Sequence, residues 1–164
     1  MYNSQEKYIR RVAEFPDAQS LISILQVIYQ AGLAAMSHGY TTLGMASRLG
    51  FGMERRFAED KLLDYMIGLE SLYLPDGNDE LTFKLSLRVA FILNQEITEG
   101  KKTYQFMKKM YRQRSKIAHG RTNELTKEDL SCIEELLRRS LKLYAEHPDT
   151  FTPASLDNIY FAEG

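Results

Sequence analysis

At 164 residues the chain has room for one domain with a substantial core and too little for two comfortable ones. Hydrophobic residues at 44% and charged residues at 26% are those of a globular chain and exclude a disordered or fibrous class. A net charge of −1 argues against a protein that coats nucleic acid nonspecifically, and a single cysteine, Cys132, excludes an internal disulfide. Cys132 reads as a small core or near-core residue. Met1 to Lys7 lack the apolar run of a signal peptide, and no later stretch approaches the roughly 18 uninterrupted apolar residues a membrane span needs. The expectation is a cytoplasmic protein with no membrane partner.

In chain order, Leu21, Ile24, Leu25, Ile28 and Gly32 recur at helical steps after Pro16, which predicts a first helix from Asp17 to Met36. Residues 37 to 53 collect glycines, threonines and serines and read as a loop, with room for a helical turn near Leu43 to Arg48. Leu62, Leu63, Met66, Ile67, Leu69, Leu72 and Tyr73 form a clean stripe that Pro75 and Gly77 end, giving a second helix from about Met53 or Glu54 to Leu74.

Leu81, Phe83, Leu85, Leu87 and Val89 then alternate with polar residues as a half-buried strand would. Every other segment reads helical, however, and a lone strand leaves its backbone groups unsatisfied. The run also continues as Ala90, Phe91, Ile92 and Leu93, longer than most strands. A third helix from about Glu80 to Gln95 is therefore expected. A fourth runs from about Lys101 to Ala118, with Tyr104, Met107 and Tyr111 along one side. Thr126 and Asp129 have near-capping-box spacing for a fifth helix carrying Leu130, Ile133, Leu137, Leu141 and Tyr144, ended by His147 and Pro148. Thr152 and Pro153 mark the start of a short final helix to about Tyr160. The fold class is all-α: an up-and-down bundle of about five helices plus a short C-terminal one, a single domain over 1–164 with its core at about 17–147.

Charge is unevenly distributed. Residues 101 to 121 carry Lys101, Lys102, Lys108, Lys109, Arg112, Arg114, Lys116 and Arg121 and no acid, whereas 54 to 80 are mostly acidic. A solvated helix face explains such a run; so does a phosphate track in which Tyr104, Phe106 and Tyr111 supply stacking platforms. Within it, Arg114 is followed five residues later by His119 and then Gly120. Gly120 is a natural helix stop, and Lys116 and His119 would suit the negative end of the dipole. Yet an arginine can fork a phosphate and a histidine can trade protons near neutrality, which together suffice to cleave RNA without a metal.

Arg114, His119 and Gly120 resemble the arginine, four to six residues, histidine motif of the HEPN superfamily, and two further blocks are similar to its Apea-like branch. One is Asp64 to Pro75, the other Gly77 to Ala90. This resemblance spans about residues 60 to 120 and implies a helical, dimeric, metal-independent endoribonuclease without cofactor, serving defence or stress response. It implies Arg114 and His119 as the catalytic pair, with Ser115 in support at a position often polar in the family. Lys108, Lys109, Arg112, Lys116 and Arg121 are assigned to RNA phosphates. Because five helical steps rotate Arg114 and His119 about 140° apart, one straight helix cannot easily aim both at one phosphate. Either the helix distorts before Gly120, or a second copy completes the site across a two-fold axis.

The alternative is a non-catalytic module that binds RNA, a nucleotide or a protein. Either way a regulatory partner can be accommodated, as can a longer chain of which this is one domain. Glu70 and Arg88 lie in apolar stripes and are expected to pair with each other, ordering the bundle; a Glu70 or Asp64 reaching into the cleft is the competing reading. No metal site is expected, since His38, His119 and His147 stand far apart without ligand spacing. His38 reads as a loop residue and His147 as a helix cap.

Overall fold

The structure, a computed structural model, describes residues 40–75 and 80–159. These form six α-helices and one 3-10 turn, an all-helical bundle with no strand among the described residues. The helix expected over 17–36 and the loop residue His38 lie outside them.

The first described helix, α1 (Tyr40–Glu54), replaces the expected loop. Each interior glycine costs a helix about 1 kcal/mol relative to alanine, so the composition is misleading until packing is considered. Met45, Leu49 and Gly52 fall on one face and are buried. Gly52 meets the ring of Tyr65 so closely that a Cβ there would lie 2.2 Å from Tyr65 Cε1. The glycine is required for contact between helices, a use that composition does not distinguish from a loop.

Helix α2 (Ala58–Tyr73) therefore begins later than expected, the chain breaking over Arg55, Arg56 and Phe57. The break is tied by Asp64, buried on α2, which accepts from Arg48 at 2.9 Å and Arg55 at 2.7 Å. Leu62, Tyr65, Met66, Leu69, Leu72 and Tyr73 make α2 the central element, packed on α1, on α3 (Leu81–Leu93), on α4 (Ile97–Ala118) and on α5 (Lys127–Glu146).

Helix α3 is helical despite its alternating pattern. Leu85, Ser86, Arg88, Val89 and Ala90 are buried at helical steps, while Phe83 and Phe91 are exposed. Helix α4 starts at Ile97, earlier than expected, and buries Met107, Met110 and Gln113. Helix α5 opens with a full capping box: Thr126 accepts from the Asp129 amide, and the Asp129 carboxylate accepts from the Thr126 amide. A 3-10 turn (Pro148–Phe151) and α6 (Pro153–Asn158), capped by Thr152 on the Ser155 amide, fold back so that Phe151 meets Tyr73 and Tyr144 edge-on.

Two expectations are corrected here. Arg88 does not pair with Glu70. It is fully buried and donates to the Tyr73 carbonyl at 2.7 Å and to Asp157 of α6 at 2.8 Å. The last carbonyls of α2 lack helical partners and sit at the negative end of its dipole, which is where a buried cation is best stabilised. Cys132 is exposed rather than near the core. Its thiol is held above its ordinary pKa by partial desolvation and by the nearby Asp129 and Glu135 carboxylates, which works against thiolate chemistry.

Candidate active site

Helix α4 is α-helical without interruption through Ala118, so the chain does not distort between Arg114 and His119. It ends in a Schellman arrangement. Gly120 adopts φ +65°, its amide donates to the Ile117 carbonyl at 2.9 Å, and the Arg121 amide donates to the Lys116 carbonyl at 2.8 Å. His119 occupies the C-cap, its own amide shared between the carbonyls of Ser115 and Lys116. The whole closure uses backbone. The imidazole is exposed and makes no hydrogen bond among the described residues.

Arg114 lies on the stretch of α4 that meets α2. Its Nη2 donates to Glu70 Oε2 at 3.2 Å, and its guanidinium carbon stands 5.7 Å from the centroid of the Tyr111 ring. The partner of Arg114 is thus the carboxylate that the sequence assigns to Arg88. Glu70 and Arg114 are mostly covered, at 21% and 31% side-chain exposure. Burial pushes the Glu70 carboxyl above its ordinary pKa, against the opposing pull of Arg114. Burial, then the Glu70 charge, raises the Tyr111 hydroxyl as well, which places the three groups in one electrostatic neighbourhood. Two atoms of this cluster, Glu70 Oε1 and Arg114 Nε, are out of solvent and have no hydrogen-bond partner among the described residues.

The remaining basic residues divide. Lys108 lies 5.3 Å from the Tyr104 ring centroid, a cation over an aromatic platform. Arg112 and Arg121 are exposed and Lys116 half-buried, and none of the three forms an ion pair among the described residues. Lys109 differs. Its ammonium is held by both Asp129 oxygens, at 2.7 and 2.8 Å, bracing the start of α5 against α4. In this structure Lys109, expected on an RNA phosphate, makes a bundle contact. Ser115 is half-buried on α4, next to Arg114. Asp64, the other acid weighed for the cleft, is occupied by Arg48 and Arg55 on the α1 side of α2.

Sequence reasoning misses the Glu70–Arg114 and Lys109–Asp129 pairs because their members are 44 and 20 residues apart in the chain, and only the folded bundle, with α2 packed on α4, brings them together. Among the described residues no three His, Cys, Asp or Glu side chains converge to hold a metal, and no helix is long and apolar enough to cross a membrane. No family model, no curated protein and no solved structure matches the chain.

Proposed function

We propose that this protein is a metal-independent endoribonuclease of the HEPN type, acting as a two-fold dimer in defence or stress response. The substrate 2′-hydroxyl attacks its own phosphorus and the bond to the 5′-oxygen breaks. His119 takes the proton from that hydroxyl or gives one to the leaving oxygen, and Arg114 stabilises the charge that develops on the phosphoryl oxygens. The product ends are a 2′,3′-cyclic phosphate and a 5′-hydroxyl.

The observation that carries this reading is the state of His119. Its ring is exposed and makes no hydrogen bond among the described residues, while backbone groups and Gly120 close the helix. A histidine needed only as a cap would be expected to spend its ring on the final carbonyls. The unbroken helix favours the dimeric form of the site: with the two side chains turned about 140° apart, a second copy is the remaining way to bring an arginine and a histidine to one phosphate. The same geometry is what a non-catalytic RNA-binding module would also have, and cleavage separates the two.

The experiment is incubation of purified protein with a defined RNA in excess chelator. Undiminished cutting with cyclic phosphate ends is expected; RNA that is bound but never cut favours the module. The cations of α4 that form no ion pair among the described residues give a second expectation. Lys108→Ala combined with Arg112→Ala should weaken binding of single-stranded RNA and flatten the log–log salt dependence by roughly 0.7 for each phosphate that is no longer neutralised. Lys109→Ala should act on thermal stability instead, because its partner is Asp129.

A further inference from the structure

We propose that Glu70 is the positioning residue of Arg114, clamping one edge of the guanidinium on α2 so that the opposite edge is presented to an RNA phosphate. The inference rests on the ribonuclease reading and adds to it a residue that makes no contact with substrate. It stands on how the five donors of Arg114 are disposed. Nη2 is on Glu70 Oε2, and the guanidinium carbon stands over the Tyr111 ring, 5.7 Å from its centroid. Nε is buried without a partner among the described residues, and so is the second carboxylate oxygen of Glu70.

A carboxylate meets the Nε and Nη2 edge of arginine as a two-pronged fork. The two orphaned atoms are those that a full fork would join. Glu70 therefore lies toward the inner edge of the guanidinium, joined to it by the single Nη2 bond. Nη1 makes no hydrogen bond among the described residues. With Nη2 on Glu70 and the Tyr111 ring to one side, Nη1 and the outer hydrogen of Nη2 are what remain for a phosphate. A long side chain that would otherwise sample many rotamers is held in the one that serves the reaction, the usual way a supporting residue contributes to rate.

The pair spans acidic α2 and basic α4, so it does not follow from either segment alone. The competing role for the same contact is a latch, in which Glu70 competes with RNA for Arg114. The two roles differ in sign.

The test compares Glu70→Gln, close in shape but uncharged, with wild type in single-turnover cleavage at saturating RNA, and repeats the comparison in an Arg114→Ala background. The clamp predicts a rate constant lower by about 10- to 10²-fold, with RNA affinity within a few-fold and an unchanged circular dichroism melt. In the Arg114→Ala background Glu70→Gln should have no further effect, since nothing is left to position. Undiminished cleavage by Glu70→Gln overturns the proposal, as does equal loss in both backgrounds; tighter RNA binding with faster cleavage makes Glu70 a latch. A readout independent of activity is the Nε–H resonance of Arg114. The clamp predicts slow solvent exchange in wild type and fast exchange in Glu70→Gln, and equal exchange in both overturns it. If wild type cuts no RNA but this protection is seen, the ribonuclease reading falls and the clamp survives as a means of presenting Arg114 to phosphate.

Discussion

Replacing His119 with alanine should lower RNA cleavage by about 10² to 10⁴-fold while leaving the thermal midpoint and RNA affinity close to those of wild type. The separation of activity from stability is the informative part. His119 contributes its backbone amide to the end of α4, and alanine keeps that amide. Its ring is exposed and makes no hydrogen bond among the described residues, so truncation leaves no buried group unsatisfied. The cap itself is sensitive one residue later: Gly120→Ala would force a side chain into φ +65°, at a cost of about 1 to 2 kcal/mol. Single-turnover cleavage and calorimetric melts of both variants check the division. A His119→Ala protein that melts several degrees lower, with wild-type cleavage, would return the histidine to a capping role.

Gly52→Ala should destabilise the protein by about 1 to 3 kcal/mol, whereas Gly44→Ala and Gly50→Ala should each stabilise it by about 0.5 to 1 kcal/mol. All three glycines lie within α1. At Gly52 the added methyl would meet the Tyr65 ring at 2.2 Å. That ring cannot retreat freely, because Tyr65 is fully buried and its hydroxyl donates to Glu134 at 2.8 Å. At Gly44 and Gly50 nothing among the described residues lies within 4 Å of the new atom, so the lower backbone entropy of alanine in the unfolded chain is what is felt. Urea midpoints measure all three. Gains at every position would mean that α1 does not press on α2 as described.

These glycines also show where the sequence stops being legible. The apolar stripe of α2 and the Thr126–Asp129 cap of α5 can be read directly, since each depends on residues three or four apart. So can the end of α4, because Gly120 announces the left-handed residue the closure needs. The helical state of α3 is not in its own alternating pattern. It follows from the lack of a strand to pair with. A glycine chosen for close contact looks the same as one chosen for a turn, so α1 reads as loop. Charge partners are harder still. Arg88 and Glu70 each need a counter-charge by the cost of burial, but that argument cannot say which. The choice is made by packing, which gives Arg88 the end of α2 together with Asp157 and gives Glu70 to Arg114.

On the proposed function, Arg114 and His119 of two copies together cut one RNA phosphate. Mixing the Arg114→Ala and His119→Ala proteins tests it most directly, after brief denaturation and refolding to exchange subunits. In a dimer whose site joins the arginine of one copy to the histidine of the other, the mixed species keeps one intact combination. The mixture is expected to regain cleavage that neither variant shows alone, with 2′,3′-cyclic phosphate ends. A mixture as inactive as its components, when wild type treated in the same way cuts RNA, would contradict a site shared between two copies.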